Sequence, residues 1–198
     1  MGKVGIRMQL LEERILRDGR ALSDDVLLVD SFLNHQVDTE LMRAVGNEFA
    51  RLFADAGVTR VATIEASGIG IACVAAEYFH CPVIFAKKSQ TKNIAGDVYT
   101  TKVESFTHGR VYDIIVAKEF LGPGDKVLLI DDFLANGAAL EGLAKLVKDS
   151  GAELVGAGIV IEKAFQPGGD RLRAEGLRIE SLARIKSMSE ETGVEFVD

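Results

Sequence analysis

The chain has 198 residues, of which 47% are hydrophobic and 27% charged, and its formal net charge is −7. This length and composition are typical of one globular domain with a sizeable core, and they exclude a disordered chain. The acidic balance argues against non-specific binding to nucleic acid or an anionic membrane, and no stretch reaches the roughly 18 apolar residues of a membrane-spanning helix.

Apolar spacing predicts the elements of the first third of the chain. Residues 1–20 are typical of an amphipathic helix rather than a signal peptide, which favours a cytoplasmic protein. An extended segment over 25–32 comes next. A second helix then begins with Asp38 or Thr39 as its N-terminal cap and ends at Gly57.

Strand and helix patterns alternate through the rest of the chain. A strand over 58–64, a helix over 71–79 and a strand over 82–86 precede a polar surface segment over 87–97. The strands predicted over 98–106 and 110–116 could form a hairpin connected by 107–109. Further strands are predicted over 127–130, 154–161 and 178–182. This alternation indicates an α/β fold with a central, mostly parallel sheet flanked by helices, whose ligand lies beyond the carboxyl ends of the strands.

The most informative segment is an apolar strand that runs into two acids and a turn of small residues. Val127–Ile130 is followed by Asp131 and Asp132, whose carboxylates can bind sugar hydroxyls or a magnesium-bound sugar. The turn Leu134–Ala139 lets a phosphate approach backbone N–H groups closely. The alternative is a strand end whose acids only cap the next helix.

The strand, the acid pair and the turn together resemble the signature by which type I phosphoribosyltransferases bind 5-phosphoribosyl 1-pyrophosphate. The chain is similar to the purine-salvage members of this family, and the similarity runs from about Leu10 to Val197 with an N-terminal extension before it. The other segments that carry it are Ser31–Gln36, Val160–Lys163 with Phe165–Gly168, and Glu180–Ile185. The family usually has Thr at the positions of Asn136 and Ala139, so phosphate binding here relies on backbone N–H groups.

The resemblance implies roles for four groups of residues near the sugar. Asp131 and Asp132 are implied as catalytic residues that hold the ribose. Phosphoribosyl pyrophosphate is implied to bind three further sets of residues. The turn for the 5-phosphate is Ala135, Asn136, Gly137, Ala138 and Ala139, and the turn for the pyrophosphate is Glu65, Ala66, Ser67 and Gly68. Lys88 belongs to a loop that closes over the site.

The resemblance also implies a base site formed by Leu27, Asn34, Lys163 and Phe165. The Lys163 ammonium is a pure donor, which suits the oxo groups of xanthine or hypoxanthine and not the amino group of adenine. Asn34 can donate and accept at a purine edge. Phe165 is interpreted as stacking on the base, with a core aromatic as the alternative.

The implied reaction transfers the phosphoribosyl group to xanthine, with inversion at the anomeric carbon and release of pyrophosphate. Magnesium is implied as the cofactor, held by the substrate pyrophosphate with no direct protein ligand. The resemblance implies one phosphoribosyltransferase domain over 1–198, with a core at about 37–162 and a base-binding hood from about 1–36 and 163–198.

We expect the partners to be xanthine, phosphoribosyl pyrophosphate and a second copy of the chain in a homodimer, with no nucleic acid or membrane. Two alternatives remain open at this point. One is a preference for hypoxanthine or guanine, since residue chemistry alone does not separate guanine from xanthine. The other is a non-catalytic regulator that senses the sugar pyrophosphate, which the acidic charge disfavours.

Overall fold

The structure is a computed structural model, and it describes residues 8–88, 96–105 and 110–197. Most of the polar segment expected over 87–97, and the connection expected between the strands of the hairpin, lie outside these residues. In the described part of the chain, no helix combines the length and the apolar character needed to cross a membrane.

The N-terminal elements are short apart from two helices. They are α1 (Gln9–Asp18), β1 (Arg20–Ala21), β2 (Leu27–Leu28), a π-helical turn (Asp30–Asn34) and α2 (Thr39–Leu52). The expected extended segment over 25–32 is therefore mostly not a strand. The carboxylate of Asp38 accepts hydrogen bonds from the N–H groups of Glu40 and Leu41, so Asp38 is the N-terminal cap of α2. Gly57 does not end this helix, because α2 stops at Leu52.

The remaining elements follow in chain order. They are β3 (Arg60–Ile64), α3 (Gly68–Phe79), β4 (Val83–Ala86), β5 (Val98–Ser105), β6 (Arg110–Ala117), β7 (Lys126–Leu134), α4 (Ala138–Asp149), β8 (Glu153–Lys163), α5 (Gly168–Ala174), β9 (Ile179–Ser189) and β10 (Gly193–Phe196). A 3₁₀ turn over Lys118–Phe120 lies before β7. Strands β5 and β6 form the expected antiparallel hairpin.

Six strands of the described residues form one sheet in the order β10-β9-β8-β7-β3-β4. All neighbours in it are parallel except β10, which runs antiparallel to β9. The α/β class with a mostly parallel sheet is therefore confirmed. Helices cover both faces because the strands are apolar on both: Leu128 and Ile130 contact one core with α2 and α3, and Val127 and Leu129 contact a second core with α4.

Two strand predictions need correction. The strand expected over 127–130 extends through both acids to Leu134, so Asp131 and Asp132 lie inside β7 rather than after it. The last strand was expected over 178–182, but β9 continues to Ser189 and turns back into β10. Pairing with β8 up to Ile185 and with β10 from Ile185 to Ser189 extends β9, because these strands supply ladder partners for the added residues.

The N-terminal elements and the C-terminal strands lie together at the β10 side of the sheet. Helix α1 packs against β9 and β10, and β1 contacts β10. The N–H of Met8 donates to the carbonyl of Leu182 at 2.9 Å. These contacts place the N-terminal elements beside the C-terminal strands.

A substitution at Gly158 in β8 tests how closely α2 packs on the sheet. A Cβ at this position would lie 2.7 Å from Phe49 and 2.8 Å from Ile130. We expect Gly158→Ala to lower the free energy of unfolding by about 1–3 kcal/mol, measured by urea titration. The matched control is Gly70→Ala in α3, where nothing lies within 4 Å and higher helix propensity should raise stability by up to about 1 kcal/mol. Wild-type stability of Gly158→Ala would contradict this packing.

Candidate functional site

Two buried carboxyl groups lie side by side at the carboxyl edge of the sheet. Asp131 and Asp132 are 6% and 8% exposed, and the N–H of Asp132 donates to the Asp131 carboxylate at 3.0 Å. Their side chains face different neighbours. Asp131 lies against the backbone of Gly68, at the start of α3, whereas Asp132 accepts a 3.4 Å hydrogen bond from the amide of Asn34.

Burial raises the pKa of Asp131 well above its usual value, and the negative charge of Asp132 raises it further. A hydrogen bond between the two side chains acts in the same direction, because it needs a proton on one of them. The cation of Lys88 opposes these effects only in part. The pair is therefore a site where added donors or positive charge would be strongly favourable.

The turn after β7 presents its backbone to this edge. Gly137 has a φ of +88°, which favours glycine, and it directly precedes the first residue of α4. The side chain of Asn136 accepts a hydrogen bond from the N–H of Ala138 at 3.1 Å. The side-chain amide oxygen of Asn136 thus occupies one N–H at the start of α4. The other small residues, Ala135 and Ala139, leave the backbone accessible.

The candidate pyrophosphate turn lies at the end of β3, next to the acid pair. The Glu65 carboxylate accepts a hydrogen bond from the N–H of Lys88 at 2.6 Å, and the Glu65 N–H donates to the Ala86 carbonyl. The Glu65–Ala66 peptide bond is cis, and Ser67 precedes the first residue of α3. The structure thus brings Glu65–Gly68 and Lys88 to the edge that holds Asp131.

Of the predicted base-binding residues, Asn34 and Lys163 lie on the other side of this edge. Lys163, the last residue of β8, donates to the carbonyl of Asp25 at 2.5 Å, and its Nζ lies 5.7 Å from the centre of the Phe133 ring. Burial lowers the pKa of this lysine, and the charge of Asp25 offsets part of that shift. Leu27 is buried in β2, whereas Phe165 is 42% exposed. The alternative of Phe165 as a core aromatic is therefore wrong.

Three residues near the site were missed by the sequence analysis. Tyr112 of the hairpin lies under the Lys88 ammonium at 5.5 Å, and burial and the charge of Asp131 raise its pKa. The Asp25 carboxylate accepts a hydrogen bond from the Gln166 amide, beside its contact with Lys163. Their contacts could not be predicted from local sequence, because each partner lies far away along the chain.

The phosphoribosyl transferase domain family matches residues 26–175, and the chain belongs to that family. Among curated proteins, it is 59% identical to the xanthine phosphoribosyltransferase of Lachnoclostridium phytofermentans, over 94% of this chain and 96% of that protein. It is 56% identical to the enzyme of the same name from Bifidobacterium longum subsp. infantis, over 94% of this chain and 97% of that one.

Solved structures show the same fold. The chain is similar to the adenine phosphoribosyltransferase of Giardia lamblia complexed with 9-deazaadenine, with a TM-score of 0.75 and 21% identity over 88% of this chain and 97% of that one. The Trypanosoma brucei enzyme, in complex with AMP, pyrophosphate and ribose-5-phosphate, gives a TM-score of 0.73 and 18% identity over 88% and 79%. These likenesses confirm the type I phosphoribosyltransferase fold.

The raised pKa of Asp131 predicts that a neutral residue at this position increases stability and abolishes activity. The folded state holds the Asp131 proton more tightly than the unfolded chain, so stability falls as the pH rises above the usual aspartate range. Asp131→Asn removes this cost. We expect it to abolish nucleotide formation and to raise the free energy of unfolding at pH 7 by about 1 kcal/mol.

Thermal unfolding between pH 4 and pH 8 measures this effect. The gain of Asp131→Asn over wild type should be absent near pH 4 and grow as the pH rises. Asp149→Asn is the control, because Asp149 forms an exposed ion pair with Lys145 and should change stability little at any pH. A stability gain that does not vary with pH would contradict the coupling.

Proposed function

We propose that this chain is a xanthine phosphoribosyltransferase. It transfers the 5-phosphoribosyl group from 5-phosphoribosyl 1-pyrophosphate to xanthine, giving xanthosine 5'-monophosphate and pyrophosphate in purine salvage. The observation that carries this proposal is the identity of 51–59% to curated enzymes of that name over at least 91% of the chain. The arrangement of charged groups at the carboxyl edge supports it.

Base recognition rests on Lys163 and Asn34. The Lys163 ammonium is mostly buried, with a side-chain exposure of 15%, and burial strengthens a charged donor toward a ring oxygen. Xanthine presents two oxo groups, and the base would take the place of the Asp25 carbonyl at this ammonium. Leu27 and Phe165 complete the proposed base site, and the Phe133 ring beside Lys163 is a further candidate wall.

The sugar phosphate is proposed to lie across the acid pair. Ribose hydroxyls donate to Asp131 and Asp132, which relieves the repulsion between the two carboxyl groups. The 5-phosphate accepts hydrogen bonds from the backbone of 135–139, and the pyrophosphate accepts them from Glu65–Gly68 with Lys88 as the cation.

Magnesium fits this site as part of the substrate complex. We expect the substrate pyrophosphate oxygens to supply most of its ligands, as is usual for this ion. The buried carboxyl pair provides the negative surroundings that a divalent cation needs. When bound, magnesium neutralises the negative charge that develops on the leaving pyrophosphate.

The chemistry is a substitution at the anomeric carbon. A ring nitrogen of xanthine supplies an electron pair to this carbon as the bond to the pyrophosphate oxygen breaks, and pyrophosphate leaves with that pair. The nitrogen loses its proton to solvent or to the leaving group. The carboxylates lie beside the sugar ring, where they stabilise its developing positive charge, and positioning of the two substrates lowers the barrier further.

Three expectations about location, assembly and domain organisation accompany the proposal. We propose a cytoplasmic homodimer whose hood, about 1–36 and 163–198, covers the base and whose core, about 37–162, holds the sugar phosphate. The contacts of α1 with β9 and β10 support a common N- and C-terminal unit.

A product assay with each purine base tests the substrate. We expect xanthosine 5'-monophosphate to form fastest when xanthine, hypoxanthine, guanine and adenine are each supplied with phosphoribosyl pyrophosphate and magnesium. Faster turnover of guanine or hypoxanthine would show that xanthine is not the preferred substrate. Binding of the sugar pyrophosphate without any nucleotide would indicate a sensor instead.

Lys163→Met tests base recognition, because it removes the ammonium and keeps a side chain that can pack on Phe133. A hydrogen bond from a charged donor is worth about 1.5–3 kcal/mol. We therefore expect the KM for xanthine to rise about tenfold or more, with less than about a twofold change in the KM for phosphoribosyl pyrophosphate. Lys145→Met, on the exposed face of α4, is the control. Equal changes in both constants would refute the role.

A further inference from the structure

Helix α5 lies directly on the turn that follows β7. The N–H of Gly168 donates to the Ala135 carbonyl at 3.2 Å, and a Cβ at Gly168 would lie 2.3 Å from that oxygen. Arg171 reaches the Asn136 carbonyl at 3.5 Å and the Glu141 carboxylate of α4 at 2.8 Å. Only a glycine allows the two backbones to approach this closely, so the position of α5 and the shape of the turn are linked.

An ion pair holds α5 against the sheet. Glu162 of β8 is 1% exposed and accepts two parallel hydrogen bonds from Arg173 of α5, at 2.7 and 2.6 Å. Arg184 of β9 approaches the same carboxylate at 3.3 Å, and Ser181 receives a further hydrogen bond from Arg173. We call Glu162, Arg173, Arg184 and Ser181 the Glu162 cluster.

The cluster sets both the distance and the orientation of the helix. Paired N–H donors from one guanidinium fix the angle between Arg173 and the carboxylate. A Cβ at Gly169 would lie 2.2 Å from the Glu162 oxygen, so the first turn of α5 is in contact with the cluster. Burial raises the pKa of Glu162, but the hydrogen bonds from Arg173 and Ser181 and the charges of both arginines outweigh it, leaving the pKa below its usual value.

A contribution to stability alone does not explain the Glu162 cluster. Buried ion pairs add little net stability compared with apolar packing of the same volume, and Leu172 already gives α5 an apolar contact with the core. What the ions add is a fixed direction for a seven-residue helix whose N-terminal glycine touches the turn.

We propose that Glu162 and Arg173 are positioning residues, which hold α5 and through it the turn over 135–139 in the geometry that binds the 5-phosphate. This inference rests on the proposed role of that turn. Neither side chain touches the sugar phosphate. Loss of the ion pair leaves α5 free to shift, so the backbone N–H groups of the turn no longer converge on one phosphate.

Direct binding measurements separate the 5-phosphate from the rest of the substrate. Isothermal titration calorimetry would use ribose 5-phosphate, which carries the 5-phosphate alone, and magnesium pyrophosphate, which lacks it. We expect Glu162→Gln and Arg173→Met to weaken ribose 5-phosphate binding about tenfold, with the affinity for magnesium pyrophosphate unchanged. Arg173→Lys keeps the cation but not the paired donors, so it should lie between Arg173→Met and wild type.

Arg178→Met is the matched control. Arg178 also forms a half-buried contact, with the Leu52 carbonyl and the Phe53 ring, and its described contacts lie outside the turn. It should lose stability without losing affinity for ribose 5-phosphate. If Glu162→Gln fails to fold, Arg173→Lys carries the test.

Equal losses for both ligands, or wild-type affinity for ribose 5-phosphate in the folded Arg173 variants, would overturn the inference. Because neither titration contains a purine base, a wrong assignment of xanthine would leave this result unaffected. If wild type itself fails to bind ribose 5-phosphate, the proposed phosphate role of the turn is wrong and the inference falls with it.

Discussion

The parallel pairing of β7 with β8 is the constraint on which the candidate site depends. Leu134 lies opposite Glu162, so both strands end at the same edge of the sheet. Both strands are buried on two faces, so a slip of their register would move apolar side chains out of the core and would be costly. This pairing alone puts the acid pair, the small-residue turn and Lys163 within one region, although a helix and its loops separate them in the chain.

Alternation of side chains then divides this edge into two sides. On β8, Glu162 faces α5, whereas Lys163 faces Asp25 in the N-terminal part of the chain. On β7, Asp132 contacts Asn34 on one side, and Asp131 faces Gly68 on the other. A purine with an attached ribose phosphate has the same division into a base end and a phosphate end.

The sequence predicted the fold class and most strands, because apolar runs and turn residues are local signals. It did not predict the length of β7 or β9, since the extra residues of β7 are extended by pairing with β8, and those of β9 by pairing with β8 and β10. It also missed the contacts of Lys163 with Asp25, which lie 138 residues apart, and the support of the turn by α5. The resemblance pointed to the phosphate turn itself, but nothing local in 168–173 shows what holds it.

Two buried carboxylates at this edge show opposite pKa shifts, and the difference separates their roles. Glu162 is surrounded by two arginines and a hydroxyl, so its charge is satisfied within the protein. Asp131 is equally buried but faces another carboxyl group, with Lys88 as a weaker counterion. The fold thus compensates the charge of the acid that orients an element, and it compensates only in part the charge of the acid that faces the proposed sugar site. A buried, poorly compensated carboxyl group destabilises a protein, and a ligand that brings hydroxyl donors and a bound cation would supply the compensation that the fold does not.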